Sequence, residues 1–275
     1  MGAIDVWSQQ PTPRFMEAPW LATLLRWTGK TERRAPTIEA TIKAMDAANV
    51  DVALLSAWYG PTGALISNDE VADAIAQAPH RFAGLASVDL NDPVGAVREI
   101  RRCIEEHHFV GVRVVPWLWD LPPDDRRYYP IYVACVELGV PFCTQIGHTG
   151  PLCRSEPGRP IPYLDNVLLD FPELTVVGGH VGFPWILEVL SLARKYPNFY
   201  VDTSLSTTCA GPAAHASCSA QTGRCFRQYS ASRNSRSWGS MRKHAGYFWK
   251  EMRAASSSLA CPTDRQTTLF GGGRF

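Results

Sequence analysis

The 275-residue sequence predicts an α/β fold built on parallel strands, and three observations support this. Short apolar runs alternate with amphipathic helical stretches over residues 3–204, and the strand candidates are regularly separated by helices. Within each run, apolar residues follow one another without alternating with polar residues. A helix between successive strands implies crossover connections and parallel pairing. Continuous runs such as VGVRVVP and ELTVVGG are typical of strands covered on both faces.

The elements follow one another in a regular order. Apolar runs predict strands at 3–6, 52–55, 82–88, 110–115, 141–146, 174–178 and 199–201. Amphipathic periodicity predicts helices at 37–48, 68–78, 93–106, 125–138, 163–170 and 184–195. Asn68 with Asp69 and Glu70 gives a helix start signal, Pro93 stands early in its helix, and Gly139 gives a stop signal.

Two architectures fit this pattern, a doubly wound sheet and a closed (β/α)8 barrel, the TIM barrel. No glycine-rich phosphate-binding motif follows the first strand, which removes the main support for a nucleotide-binding doubly wound sheet. The length suits one barrel of about 250 residues. The sequence therefore favours the α/β class and the (β/α)8 TIM barrel.

Composition excludes several classes of protein. Hydrophobic residues make up 45% and charged residues 19%, and no apolar run is long enough to span a membrane, so neither a membrane protein nor a disordered one is expected. The N-terminal MGAIDVWSQQ lacks the layout of a secretory signal. We therefore expect a cytoplasmic protein.

Candidate functional residues follow the apolar runs, because the carboxyl ends of barrel strands carry the reactive groups. His148 follows PFCTQIG and His180 follows LTVVGG, each beside a glycine. Each histidine has two possible roles: a functional one, as a metal ligand or general base, or a structural one, as a hydrogen-bonded residue. Arg113 is either an anion anchor or a salt-bridged barrel residue, and Asp5 either supports the site or binds backbone amides. Aromatic residues near the strand ends either line a pocket for a flat organic substrate or fill the barrel rim; they are Trp7, Trp58, Tyr59, Trp117, Trp119 and Trp185.

Five segments together resemble a known family. They are IDVW, SNDEVADAIAQAPHRFAGLASVDLNDP, GVPFCTQIGHTGP, FPELTVVGGHVGFPW and YPNFYVDTS. Over residues 3–204 the chain resembles the amidohydrolase-related branch of the amidohydrolase superfamily, which includes aminocarboxymuconate semialdehyde and resorcylate decarboxylases. The resemblance implies a distorted (β/α)8 barrel that holds a divalent metal, most often zinc, and hydrolyses C–N or C–O bonds or removes carboxylate non-oxidatively.

The resemblance also implies residue roles. His148 matches the metal-binding histidine after the fifth strand, and His180 matches the next histidine, a metal ligand or the acid/base group; Arg113 is expected to orient an anion. The family's first strand ends in His-x-His, where this chain has Trp7 and Gln9, neither a usual zinc ligand. The family's final strand ends in a motif with an aspartate, where this chain reads LFGGGRF.

The composition changes near residue 204. Residues 206–275 carry a net charge of +8 against −7 for residues 1–205, and neither Val nor Ile occurs after Val201. We therefore predict two segments, a barrel domain at 1–204 and a Ser/Arg/Cys-rich tail at 205–275 that is disordered or out of frame, which leaves six good strands and an incomplete barrel. A basic tail that binds nucleic acid is the less favoured alternative.

The sequence leaves two classes of function open. The first is a metal-dependent hydrolase or non-oxidative decarboxylase of a small organic acid, with an aromatic acid as one option. The second is a non-catalytic barrel-derived protein, or an inactive truncated product with an incomplete metal site. A small-molecule substrate is the expected partner, a homo-oligomer stays open, and an open barrel edge predicts low solubility or dependence on a partner.

Overall fold

The computed structural model describes residues 3–28 and 33–202. In chain order the strands are β1 Ala3–Ser8, β2 Val50–Ser56, β3 Trp58–Gly60, β4 Gly63–Ile66, β5 Phe82–Ala86, β6 Gly111–Val114, β7 Phe142–Gln145, β8 Val176–Gly179 and β9 Phe199–Val201. The helices are α1 Pro13–Glu17, α2 Leu21–Thr28, α3 Ile38–Ala47, α4 Asn68–Gln77, α5 Pro93–Glu105, α6 Pro116–Trp119, α7 Tyr129–Leu138, α8 Tyr163–Asp170 and α9 Ile186–Lys195. No described helix is long and apolar enough to cross a membrane.

Seven of these strands form one parallel sheet in the order β1-β2-β5-β6-β7-β8-β9, and β3 and β4 form a separate antiparallel hairpin. Every residue of β6, β7 and β8 is buried, as expected for strands covered on both faces. The registers Val112↔Phe142, Phe142↔Val176 and Val176↔Phe199 align apolar side chains across four neighbouring strands. The parallel α/β class predicted from the sequence is confirmed.

All seven predicted strands are present in the sheet. The expectation of only six good strands is wrong, because Phe199–Val201 pairs with β8 as the seventh strand. Within the described ranges, β1 pairs only with β2 and β9 only with β8, so the barrel is incomplete there, as predicted. The segment 205–275 and its LFGGGRF motif lie outside the described residues.

Local signals explain where the helices begin and end. The Ser67 hydroxyl accepts from the Glu70 backbone amide while the Glu70 carboxylate accepts from the Ser67 amide, a capping box at the start of α4. Asp92 caps α5, and Gly139 ends α7 with a left-handed φ of 66°. The predicted helix at 125–138 begins only at Tyr129, because Asp125 accepts from the Arg127 amide and holds the preceding residues in a turn.

The core lies between the sheet and its helices. Tyr132 on α7 is fully buried, its ring lies 4.8 Å from that of Phe142 on β7, and its hydroxyl donates to the Pro123 carbonyl at 2.7 Å. This bond gives the buried phenol its partner. The packing fixes β7 and therefore the direction in which the chain leaves it toward His148.

Candidate functional site

The carboxyl ends of β7 and β8 each lead directly to a histidine. After β7 the chain turns at Gly147, whose φ is 96° and where a Cβ would lie 2.7 Å from the Phe183 carbonyl oxygen. His148 follows, half-buried, with its amide donating to that same oxygen at 2.7 Å and its ring 5.7 Å from the Phe183 ring. The turn after β7 therefore packs directly on the turn after β8.

The turn after β8 is left-handed over three successive residues. His180, Val181 and Gly182 have φ values of 77°, 51° and 77°. A positive φ is costly for a β-branched side chain, so Val181 stores strain that the surrounding bonds must hold. The Gly182 amide donates to the His180 carbonyl at 2.6 Å, and the Val181 amide donates to the Asp202 carbonyl at 3.2 Å. These bonds hold the backbone from which the His180 side chain projects.

Arg113 lies at the centre of the sheet's inner side. It is only 1% exposed, and its guanidinium reaches from β6 to β1, donating from Nη2 to the Val6 carbonyl and from Nη1 to the Ser8 carbonyl at 3.4 Å. Burial lowers the pKa of Arg113, while Cys143, Asp202 and Asp5 act in the opposite direction. The sequence offered an anion anchor or a salt-bridged residue; the hydrogen bonds found here go to backbone carbonyls.

Trp7 connects Arg113 with His180. The Arg113 guanidinium carbon lies 4.0 Å from the centroid of the Trp7 ring, a cation–π contact, and the His180 ring lies 4.6 Å from Trp7 in an edge-on arrangement. A Cβ at Gly179 would lie 2.4 Å from the same indole. One half-buried tryptophan therefore fills the space between β1, β6 and the end of β8.

Three of the remaining predicted aromatic residues, Trp58, Trp117 and Trp119, divide into two sets. Trp58 and Trp117 pack together with Trp20, which stacks on Trp58 at 5.7 Å; Trp117 also donates from Nε1 to Gln145 Oε1 at 2.6 Å. Trp20 was not among the predicted residues, because it belongs to an irregular segment with no strand-end signal. Trp119 instead donates to the backbone of the β3–β4 hairpin. The sequence therefore identified part of an aromatic cluster at this end of the sheet.

The four described cysteines are unpaired thiols. Burial raises the pKa of Cys143, which lies beside Arg113, to about 11. A thiol with that pKa is almost fully protonated at neutral pH and is a poor nucleophile. Cys143 therefore acts as a packing residue.

The described residues do not fit a divalent metal. In ranges 3–28 and 33–202 no three His, Cys, Asp or Glu side chains are arranged to hold a metal ion. A structural zinc needs four ligands, and a catalytic zinc needs three from the protein. Where the resemblance expects the first two ligands, Trp7 presents an indole packed on His180, and Gln9 presents a neutral amide.

With the sheet and the strand-end residues described, comparison with known proteins identifies the family. The Amidohydrolase family model matches residues 20–236, well over half of the chain. This chain belongs to the amidohydrolase family. The resemblance expected from the sequence is thereby confirmed.

The chain is also similar to one curated protein and to two solved structures. It is 33% identical to a gamma-resorcylate decarboxylase of Polaromonas sp. strain JS666, in an alignment that covers 50% of this chain and 56% of the relative. It is similar to the crystal structure of an uncharacterised TIM-barrel protein of Bordetella bronchiseptica, with a TM-score of 0.65, 24% identity, and coverage of 78% of this chain and 79% of that one. The expected TIM-barrel fold is thus confirmed.

The third relative carries a metal. It is a dihydroxybenzoic acid decarboxylase of Polaromonas sp. JS666, solved with manganese and the inhibitor 2-nitroresorcinol; its TM-score is 0.52, its identity 18%, and coverage is 73% of this chain and 77% of that one. The chain spans between 31% and 56% of the length of three curated relatives that it matches.

Proposed function

We propose that this chain binds a small planar organic acid at the carboxyl ends of its strands and removes the carboxylate non-oxidatively. The observation that carries the proposal is the pair His148 and His180, which end neighbouring strands of an amidohydrolase barrel and face the aromatic Phe183 and Trp7. Three curated relatives that it matches are decarboxylases, two of gamma-resorcylate, which supports this reaction over C–N or C–O hydrolysis.

His180 is the proposed proton-transfer group. In a non-oxidative decarboxylation a proton is added to the carbon that bears the carboxylate, the C–C bond breaks, its electron pair stays with the ring and carbon dioxide leaves. A protonated imidazole that projects from the left-handed turn at 180–182 can deliver that proton and regain one from water. General acid catalysis of this kind contributes about 10²- to 10⁴-fold in rate.

Arg113 is the proposed positive charge near the acid. Its two Nη groups donate to β1, whereas Nε has no hydrogen-bond partner among the described residues. A buried N–H without a partner is costly, and a carboxylate oxygen is the strongest acceptor that it can receive. The guanidinium would thus orient the acid through one remaining donor.

The zinc ion that the sequence predicts at His148 and His180 stays a prediction, and we assign no step to it. These two residues would offer two imidazole nitrogens, but no described group of three ligands includes them. The cytoplasmic location and the homo-oligomer also stay predictions.

A second candidate function is a barrel that binds the acid without converting it. Trp7 and Gln9 favour binding without conversion, because they stand where the resemblance expects two metal ligands. Binding and turnover must therefore be measured separately.

The test uses the full chain with gamma-resorcylate. Calorimetry measures binding, and release of carbon dioxide measures turnover. We expect His180→Ala to lower kcat by at least about 10²-fold, while the control His80→Ala, an exposed histidine after α4, leaves kcat unchanged. Binding without turnover supports the non-catalytic alternative. If the chain neither binds nor converts gamma-resorcylate, the proposed function is wrong.

A further inference from the structure

The inner side of the sheet already holds a fixed cation. Arg113 is 1% exposed, and its guanidinium is held by the carbonyls of Val6 and Ser8 on one strand and by the Trp7 ring at 4.0 Å. An arginine keeps its charge in proteins because its pKa lies far above neutral pH. The group therefore contributes a permanent positive charge where screening by water is weak.

The space that a first-strand metal ligand would use is filled. The Trp7 indole contacts the His180 ring at 4.6 Å, and it lies so close to Gly179 that no Cβ fits there. An indole N–H is a donor only, so Trp7 cannot coordinate a cation through its nitrogen. Gln9 Oε1 is buried and has no partner in the described ranges, but it is a single neutral oxygen.

We propose that the Arg113 guanidinium, held between Trp7 and β1, replaces the divalent metal as the positive charge of this barrel, and that the chain binds zinc or manganese far below one ion per chain. A divalent cation placed beside Trp7 would be repelled by the nearby guanidinium and would find too few ligands among the described residues. This inference goes beyond the proposed function, because it concerns the group that carries the charge and holds whether or not the chain turns over an acid.

The experiment measures metal binding by the purified full chain. Zinc and, separately, manganese are added, excess metal is removed by dialysis, and elemental mass spectrometry gives the metal content per chain. We expect the wild-type chain to retain little of either metal. The inference would be overturned if the wild-type chain retained about one ion per chain and His148→Ala did not. This comparison leaves Arg113 and Trp7 unchanged.

Two variants test the separate contributions of Trp7 and Arg113. The double variant Trp7→His/Gln9→His is expected to bind zinc at least about tenfold more tightly than the wild type, because it adds two imidazole ligands at the end of β1, where Trp7 contacts His180. Adding Arg113→Met to that variant is expected to tighten binding again, because the repelling charge is gone. Equal zinc affinity with and without Arg113 would refute the role assigned to the guanidinium. Gln77→His, on the exposed face of α4, controls for an added histidine.

Thermal unfolding with and without zinc gives a second readout, because a ligand that binds only the folded state raises the melting temperature. We expect zinc to raise the melting temperature of the double variant and to leave that of the wild type unchanged. Stoichiometric metal in an active wild-type chain would overturn this inference and leave the proposed function intact. A metal-free wild type that neither binds nor converts gamma-resorcylate would leave the inference intact and refute the proposed function.

Discussion

The substitution Arg113→Met tests how much the buried guanidinium stabilises the fold. Methionine keeps the apolar stem but removes the charge, the two donors to β1 and the contact with Trp7. One donor bonds the Val6 carbonyl and the other bonds Ser8 at 3.4 Å; a hydrogen bond from a charged group contributes about 1.5–3 kcal/mol. The contact with Trp7 adds about 1–2 kcal/mol in a desolvated setting.

The substitution also changes what surrounds the removed charge. Asp202, which is 6% exposed, would lose a nearby cation, whereas the desolvation cost of the guanidinium would disappear. Removing one member of a buried charged set costs about 3–5 kcal/mol, and we expect a loss of this size for Arg113→Met. Urea unfolding followed by circular dichroism measures it as a lower midpoint.

The matched control is Arg127→Met, because Arg127 is 41% exposed and its partner Asp125 lies 3.0 Å away. An exposed ion pair contributes less than about 1 kcal/mol, so the control should unfold close to the wild-type midpoint. An Arg113→Met variant as stable as the wild type would show that the guanidinium does not stabilise the contact between β6 and β1.

Three smaller perturbations test other parts of the fold. Ser67→Ala removes the capping box of α4 and should cost about 1 kcal/mol, read from thermal unfolding; no change would contradict the cap. Tyr132→Phe leaves the Pro123 carbonyl without its partner and should cost about 1 kcal/mol in urea, which an unchanged midpoint would refute. The hydrogen bond from Lys195 lowers the pKa of Asp165 below its usual 3.8. The ionised Asp165 therefore stabilises the fold above pH 3.8, and this stabilisation is lost as the pH falls through the lowered pKa. Asp165→Asn should therefore be less stable than the wild type at pH 7 and equal to it by about pH 2; a deficit independent of pH would contradict this.

The regular part of the fold was predictable because it depends on local patterns. Apolar runs marked all seven strands of the sheet, and the two strand-end histidines followed from the rule that parallel strands direct their carboxyl ends to one side. The hairpin of β3 and β4 was missed, because it is a separate antiparallel pair and lies outside the alternation of strands and helices by which the sheet strands were recognised. Helices α1 and α2 were missed for a related reason, since they are short and lie in an irregular segment.

The candidate site was predictable only in part, because its decisive contacts join distant residues. The position of Trp7 at a strand end was visible in the sequence, but its contact with Arg113 joins residues with no shared local pattern. The left-handed backbone at Val181 was also hidden, because a β-branched residue argues against a positive φ and only tertiary bonds enforce it. Such features arise from packing and leave no mark on periodicity.

The contact between Arg113 and β1 also constrains the order in which the chain can fold. The guanidinium bonds the carbonyl of Val6, which lies 107 positions earlier in the sequence. Contacts of such high sequence separation form late, because closing a long loop costs conformational entropy before the contact contributes any stabilising free energy. β1 is therefore synthesised before β6 but is among the last of the described strands to be fixed across the sheet. Until β6 is in place, β2 is the one strand of the described ranges that pairs with β1, and during this interval the growing chain exposes an unpaired strand edge to wrong pairing.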